Sequence, residues 1–369
     1  MALLGGRDTR DLVVNTGVDA TELRKFQLAD GTTFDAVVGE LEGALTAFNA
    51  SISADPLMRY CYITDQPEVT YRMGTNPAFG DYDEYTRPDP NRGEADGHML
   101  PLRPYDFMLR WTWDYMRKAN RSQIEADIQV AVGASKDLVR QKILNRLLKR
   151  SDDSGKANGL GTGGYSAGFA TAAANTNVDF APPAYGGTTF DTSHNHMTNA
   201  GSSLTQATVL ANMKLVREHG HTGPFDLIIS ETDEATFRAF TDFVAAGDPF
   251  VQYANSVSLA APALGEGYIG YVKDSLTRVR VQPGYPANYF TVLKSYGVNS
   301  QLNPLRIRVS KGMGQLGFTA FPDPRAGGIS PANPLGNLML WTEFGVGVGD
   351  RTAGSTNRSN ASWADGTAS

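Results

Sequence analysis

This sequence holds one cysteine, five histidines and no apolar run approaching the length of a membrane span. The lone thiol, Cys61, cannot close an internal disulfide and has no paired metal-ligand spacing, which fits a packed thiol in a reducing cytoplasm. The opening stretch MALLGGRDTRD is too weakly apolar for a signal peptide. Basic residues are also in deficit: 33 Lys and Arg stand against 39 Asp and Glu, for a net charge of -6 and a pI near 5.4. That balance excludes a protein that grips nucleic acid through a general basic surface, although local basic strips remain open. Catalytic signatures are missing too. The run GLGTGG at residues 159–164 is not followed by Lys-Ser/Thr or by a helix start, so it is no phosphate-binding loop. Gly-x-Ser-x-Gly is absent, and no Ser-His-Asp arrangement stands out.

What is present is an ordinary folded composition of 369 residues, 41% apolar and 20% charged, enough for two or three domains with a sizeable core. Thirty-nine glycines and nineteen prolines point to many turns and to substantial β structure. The most organised stretch is residues 122–150, SQIEADIQVAVGASKDLVRQKILNRLLKR. Ser122 with Glu125 has the form of a capping box, acids come early and bases late, and Ile124, Ile128, Val132, Val139, Ile143 and Leu147 form one stripe at helical spacing. A single helix of about 43 Å follows from a rise of about 1.5 Å per residue. Gly133 and Ser135 interrupt its middle.

Ahead of it, residues 1–30 read as an irregular polar arm, then Phe34, Val37, Val38, Leu41, Leu45, Phe48 and Ile52 mark an amphipathic helix that something must cover. Residues 57–64, 69–73 and 100–112 have strand composition, and the acidic, turn-rich segment between Gly74 and Gly97 separates the last two. The whole of residues 57–112 thus reads as a long two-stranded arm with a polar tip, too marginal to stand free in water. Beyond Arg150 a Gly/Ala/Ser/Thr-rich region gives way to a helix at residues 204–219, capped by Ser203 with Gln206 and closed by Gly220. A buried strand at 225–229 and a helix at 232–245 come next. In the last third, Arg278, Arg280, Arg306 and Arg308 alternate with apolar residues, so each of two strands exposes an arginine face. Strands at 317–321 and 338–349 precede a polar, flexible tail.

Candidate chemistry is sparse. His194 and His196, on a strand, share a face and could grip a metal, which is the basis for a metal-dependent hydrolase as the enzymatic alternative. They have no companion ligand at a recognisable spacing. Asp81, Asp83 and Glu84, with Arg72, Arg87 and Arg92 nearby, lie along the polar arm, where they form either a solvated face or intersubunit salt bridges. The four late-strand arginines form a solvated or ion-paired face first, meet a complementary acidic neighbour second, and contact DNA third.

Taken in order, these elements resemble the major capsid proteins of tailed bacteriophages, the Hong Kong 97-like fold. The resemblance covers nearly the whole chain. It is carried by PLRPYDFMLRWTWDYMRKANRSQIEADIQ (101–129), SHNHMTNAGSSLTQATVLANMKLVREHGHTGPFDLIIS (193–230) and FGVGVGDRTAG (344–354). It implies an α+β chain with an N-terminal arm and amphipathic helix (1–56), an E-loop (57–112) and a peripheral domain (113–221) containing the spine helix. An axial domain (222–320), C-terminal strands returning to the core (321–354) and a tail (355–369) complete it. It further implies a non-enzymatic shell protein with no cofactor, forming pentamers and hexamers of an icosahedral virion head in the host cytoplasm. Such a head encloses double-stranded DNA without sequence-specific binding and takes no membrane. A portal and, with no long coiled-coil segment before the arm, a separate scaffolding protein are expected partners; a decoration protein is optional. Because no lysine lies between Lys25 and Lys118, covalent cross-linking through an E-loop lysine is not expected. An encapsulin-type compartment shell shares the implied fold and is the nearest alternative.

Overall fold

The computed structural model describes residues 27–73, 94–150, 153–154, 165–166, 169, 195–199, 203–245, 267–273, 277–311, 316–322, 337–360 and 362–369. Its helices, in chain order, are α1 (Phe34–Ile52), α2 (Trp113–Lys118), α3 (Arg121–Leu148), α4 (Gln206–Arg217) and α5 (Glu234–Arg238), with a 3₁₀ turn at Pro56–Tyr60. The strands are β1 (Cys61–Thr64), β2 (Glu68–Met73), β3 (Glu94–Met99), β4 (Arg103–Arg110), β5 (Asp153–Ser154), β6 (Tyr165–Ser166), β7 (Met197–Asn199) and β8 (Asp226–Ile229). They continue with β9 (Phe243–Ala245), β10 (Tyr268–Val272), β11 (Thr277–Val281), β12 (Tyr289–Leu293), β13 (Leu305–Val309), β14 (Thr319–Pro322), β15 (Asn337–Val348) and β16 (Gly354–Arg358).

Two sheets carry the fold. One follows the order β1-β13-β15-β14, with β4 along the other side of β15; the second runs β7-β16-β12-β8-β11-β10-β9. In the second sheet the side chains alternate between two cores, as strand geometry requires. Leu227, Ile229, Phe290 and Val292 pack with α4 and α5, whereas Ile228, Tyr289 and Leu293 join the larger core around α3. Both faces are therefore covered, which is why the central strand DLII is buried at every position.

The long helix forms as expected, with Ile124, Ile128, Val139, Ile143 and Leu147 buried. Its start differs. Asn120, not Ser122, occupies the cap position, and its backbone N–H donates to Gln123 Oε1 at 2.9 Å. The next N–H, of Arg121, donates to Asp30 Oδ2 at 2.7 Å, so a carboxylate ninety residues away satisfies an orphan donor of the first turn. Those donors hold the Asp30 carboxyl below its ordinary range, the Arg121 N–H foremost. The cover over α1 is β-structured rather than helical alone: Phe48 meets the Phe318 ring at 5.5 Å, and Asn49 exchanges hydrogen bonds with the Phe318 backbone.

Several expectations need correcting. The two-stranded arm is confined to β2 and β3, paired from Glu68↔Met99 to Met73↔Glu94. Residues 61–64 and 103–110 belong instead to the first sheet, because β1 aligns in parallel with β13 and β4 runs along β15 for eight residue pairs. The strands of residues 222–320, the range expected for the axial domain, are shared between the sheets: β13 lies in the first, and β8, β10, β11 and β12 lie in the second. The helix expected at 232–245 ends at Arg238, and Phe243–Ala245 turns into an edge strand on β10, since an open sheet edge competes for its backbone groups. The 204–219 helix starts two residues late, at Gln206, with the Thr205 hydroxyl accepting the Thr208 N–H; Gly220 follows its end at φ +83°.

The polar C-terminus is not a free tail. Residues 354–358 are an inner strand between β7 and β12, and Ser355, Thr356 and Asn357 are fully buried. Beyond it, Tyr289 donates to the Ala364 carbonyl at 2.7 Å, Arg150 N–H to Asp365 at 2.9 Å, Ala368 N–H to Asn145 at 2.7 Å and Ser369 N–H to Gly284 at 3.1 Å. Trp363 packs edge-on against Tyr289. The last residues thereby strap the end of α3 to the second sheet. The irregular arm at residues 1–26 and the polar segment 74–93, with Asp81, Asp83, Glu84, Arg87 and Arg92, lie outside the described residues.

Candidate functional site

The densest constellation of charge sits where the 3₁₀ turn, anchored to the first sheet, meets the second. Asp226 opens β8 and has no exposure to solvent. A carboxylate so placed requires several donors. Arg278, its register partner on β11, supplies two bonds, Nε to Oδ1 at 2.6 Å and Nη2 to Oδ2 at 3.0 Å. The Tyr60 hydroxyl donates to Oδ2 at 2.8 Å, and Arg59 Nε lies 3.7 Å from the same oxygen. Arg59 Nη1 donates to the Tyr268 hydroxyl at 2.6 Å, and the Arg278 guanidinium lies over the Tyr268 ring. Burial, and then the charge of Asp226, push the Tyr60 phenol well above its ordinary range, so it stays a donor. Burial disfavours the charged Arg278, but Asp226, Tyr268 and Tyr60 together outweigh it and the guanidinium is held above its usual value. This junction fastens the two sheets together through four elements.

The four late-strand arginines do not form two exposed faces. Arg278 serves Asp226. Arg280 is 5% exposed, with Nε and Nη1 lacking hydrogen-bond partners, close enough for its charge to act on Tyr60. Arg306 lies over the Tyr62 ring and donates to the Gln301 carbonyl, while Arg308 donates to the Leu100 carbonyl at 2.8 Å. Burial lowers the Arg308 pKa and Glu343 partly offsets it. The alternating pattern is read correctly as strand, but both faces of each strand are covered. Arg72 lies on β2.

The described histidines are buried and engaged in contacts within the fold. His196 is fully buried, its Nδ1–H donating to the Gly354 carbonyl at 2.8 Å, with its ring 5.0 Å from that of His219. His194 lies outside the described residues, among which no group of three or more His, Cys, Asp or Glu could hold a metal ion. His221 bridges the Tyr296 hydroxyl and the Thr352 hydroxyl, each at 2.7 Å, and burial lowers its pKa. His98, on β3, donates Nε2–H to the Val348 carbonyl at 2.7 Å; burial above all, with Arg351, Arg146 and Arg306 adding repulsion, pushes it down to about 3. Cys61 is buried, and burial raises its thiol, which makes it a poor nucleophile. Sequence reasoning passed over Asp226 and Tyr60; the available signal was an acid heading an otherwise apolar strand, FDLIIS.

These features define an α+β chain of two sheets joined at a buried ionic junction and spanned by one 28-residue helix. No protein-family model matches the sequence, and no curated protein does. Solved structures do. A chain from Mycobacterium phage Patience superposes at a TM-score of 0.67 with 18% identity, over 92% of this chain and 91% of that one. The mature capsid of bacteriophage PhiM1 overlaps less well, with a TM-score of 0.46 and 11% identity over 83% and 87%. The capsid of the empty GTA particle has a TM-score of 0.47 and 12% identity over 83% and 89%. The likeness to the phage Patience chain establishes a shared fold, in line with the resemblance of the sequence to tailed-phage major capsid proteins.

Two outcomes test the geometry. Asp226→Asn removes the charge that compensates Arg278 and Arg59, and is expected to cost about 3 kcal/mol in denaturant unfolding. The His98 linkage has a definite sign: its folded pKa is depressed, so the stability it contributes is complete above the ordinary value of 6.5 and drains away as pH falls toward 3. The loss amounts to on the order of 2 kcal/mol over the first two pH units below the ordinary value. Thermal midpoints of wild type should therefore decline more steeply over that range than those of His98→Gln.

Proposed function

We propose that this chain is the major capsid protein of a tailed double-stranded DNA phage, a non-enzymatic subunit that self-assembles into an icosahedral head of pentamers and hexamers. The single observation that carries the reading is the fold likeness to the phage Patience chain across nine-tenths of both chains. The internal construction agrees with it. Ionic and polar side chains are used to fasten sheets, helix ends and the C-terminal strap, and shell subunits need such rigidity because each is held by many repeated contacts. In this reading residues 68–99 supply the E-loop hairpin, α3 is the spine, and a portal, a separate scaffolding protein and an optional decoration protein are the partners. The enclosed DNA is not gripped by sequence. Purified particles examined by electron microscopy test this: closed shells packed with DNA are expected. Shells filled with protein cargo would favour the encapsulin alternative, and a chain that forms no shells would overturn the reading.

We further infer that the spine bends at Gly133. A methyl group there would meet no neighbour within 4 Å, so nothing in the packing demands glycine. Two residues on, the buried Ser135 hydroxyl donates to the Ala131 carbonyl at 2.9 Å, a back-bond that tends to bend helices. Gly133→Ala should stabilise the isolated subunit by about 0.5–1 kcal/mol while impairing shell expansion. Identical spine curvature in early and mature wild-type particles would remove the basis for this role.

A further inference from the structure

The neighbourhood of Asp226 holds more positive charge than that carboxylate can match, and the excess is centred on Arg280. Among the described residues, Arg59, Arg278 and Arg280 stand against Asp226 alone. Arg278 takes both Asp226 oxygens, and Arg59 lies 3.7 Å from one of them, so the carboxylate is already committed. Arg280 is left over. It is 5% exposed, and neither its Nε nor its Nη1 has a hydrogen-bond partner. Each N–H edge of the planar fork therefore keeps a free donor. A guanidinium cannot shed its proton to escape burial, so an unmatched one is costly until an anion joins it.

Strand pairing brings a second free donor to the same face. Arg278 and Arg280 lie two apart on β11 and so on one side of the sheet. Across the ladder Arg280 stands opposite Tyr268, and Arg278 opposite Tyr271. Tyrosines three apart on a regular strand would face opposite ways, but the register shift between Tyr268 and Gly270 turns both toward the arginines. The Tyr268 hydroxyl accepts from Arg59, whereas the Tyr271 hydroxyl is buried without a partner. Burial above all raises the Tyr271 phenol, so it keeps its proton and remains a donor. Buried polar groups are nearly always satisfied, and two unsatisfied donors on adjacent strands of one face call for a shared acceptor.

Charge and access set the class of that acceptor. Three guanidinium charges against one carboxylate leave two positive charges, which a doubly charged anion balances. Guanidinium forks pair best with oxyanions, which accept at several oxygens at once. Because Arg280 is almost wholly covered, the anion must be small; neither a nucleic-acid backbone nor the folded surface of another subunit reaches it. We propose that Arg280 and Tyr271 form a binding site for a small oxyanion of the phosphate or sulfate class, beside the Asp226 junction. Arg59 and Arg278, engaged with Asp226, contribute field rather than hydrogen bonds. The site lies within one chain and does not rest on the shell reading above.

Inorganic phosphate is the probe. Equilibrium dialysis of the purified protein against radiolabelled phosphate should find about one phosphate per chain, displaced by sulfate but not by chloride at equal ionic strength. At about ten times the dissociation constant, phosphate should raise the thermal midpoint over matched chloride by about 2 °C or more. Phosphate also stabilises proteins generally through exclusion from their surfaces, so the comparison with variants carries the result. Arg280→Met should abolish the phosphate-specific increment, and Tyr271→Phe should weaken phosphate binding about fivefold. In chloride, Arg280→Met should melt no lower than wild type, because it removes an unmatched buried charge. No bound phosphate in dialysis, or binding unchanged in both variants, overturns the site. So does a midpoint for Arg280→Met in chloride well below that of wild type, since the guanidinium would then already have its partner within the chain.

Discussion

Covering both faces of one sheet is the constraint on which the rest of this structure depends. The seven-stranded sheet cannot leave either side in water, because its central strand is buried at every position. One face is closed by α4 and α5, the other by the larger core that α3 shares with the first sheet. The long helix is therefore the common wall of two layers. A buried wall brings polar backbone and side-chain groups out of water, and these must be matched. The Asp226 junction and the buried polar side chains of β16 answer that requirement.

These fastenings share a design. Two of them join segments far apart in sequence through groups that lose their water: Asp226 with Arg59, Tyr60 and Arg278, and His98 with the Val348 carbonyl. Such contacts contribute specificity of arrangement more than net stability, since desolvation offsets most of their attraction. A subunit proposed to repeat many times in a closed shell gains from that trade, because small errors of internal angle would accumulate around the shell.

Periodicity made the helices α1, α3 and α4 legible, along with β8, β11, β13 and β15, because the pattern of apolar residues reflects directly which side of an element is buried. The resemblance to capsid proteins was legible in long stretches of sequence, and the fold likeness agrees with it. Helix starts were off by a few residues because another nearby residue took the cap position, Asn120 at α3 and Thr205 at α4. The 232–245 segment was misread because a neighbouring strand edge outcompeted helix propensity. The arginines of β11 and β13 alternate as surface residues do, yet they are covered from the other side by the 3₁₀ turn, by Tyr62 and by Leu100, none of which is adjacent in sequence.

By itself, the amino-acid sequence determined the amphipathic spine, the strand-rich last third and, with one cysteine, the lack of an internal disulfide, all properties of local pattern and composition. The tertiary structure alone decided that Asp30 accepts the Arg121 N–H at the start of the spine, that the arginines of β11 and β13 are engaged with distant residues and that the polar C-terminus is an inner strand and strap. Only it revealed the buried carboxylate at the junction. The physical reason is that pairing and desolvation depend on which distant groups share a space, and a polar residue carries no local mark of whether its partner will be water or another part of the chain. The spine helix was visible from its stripe of isoleucines; what it holds together was not.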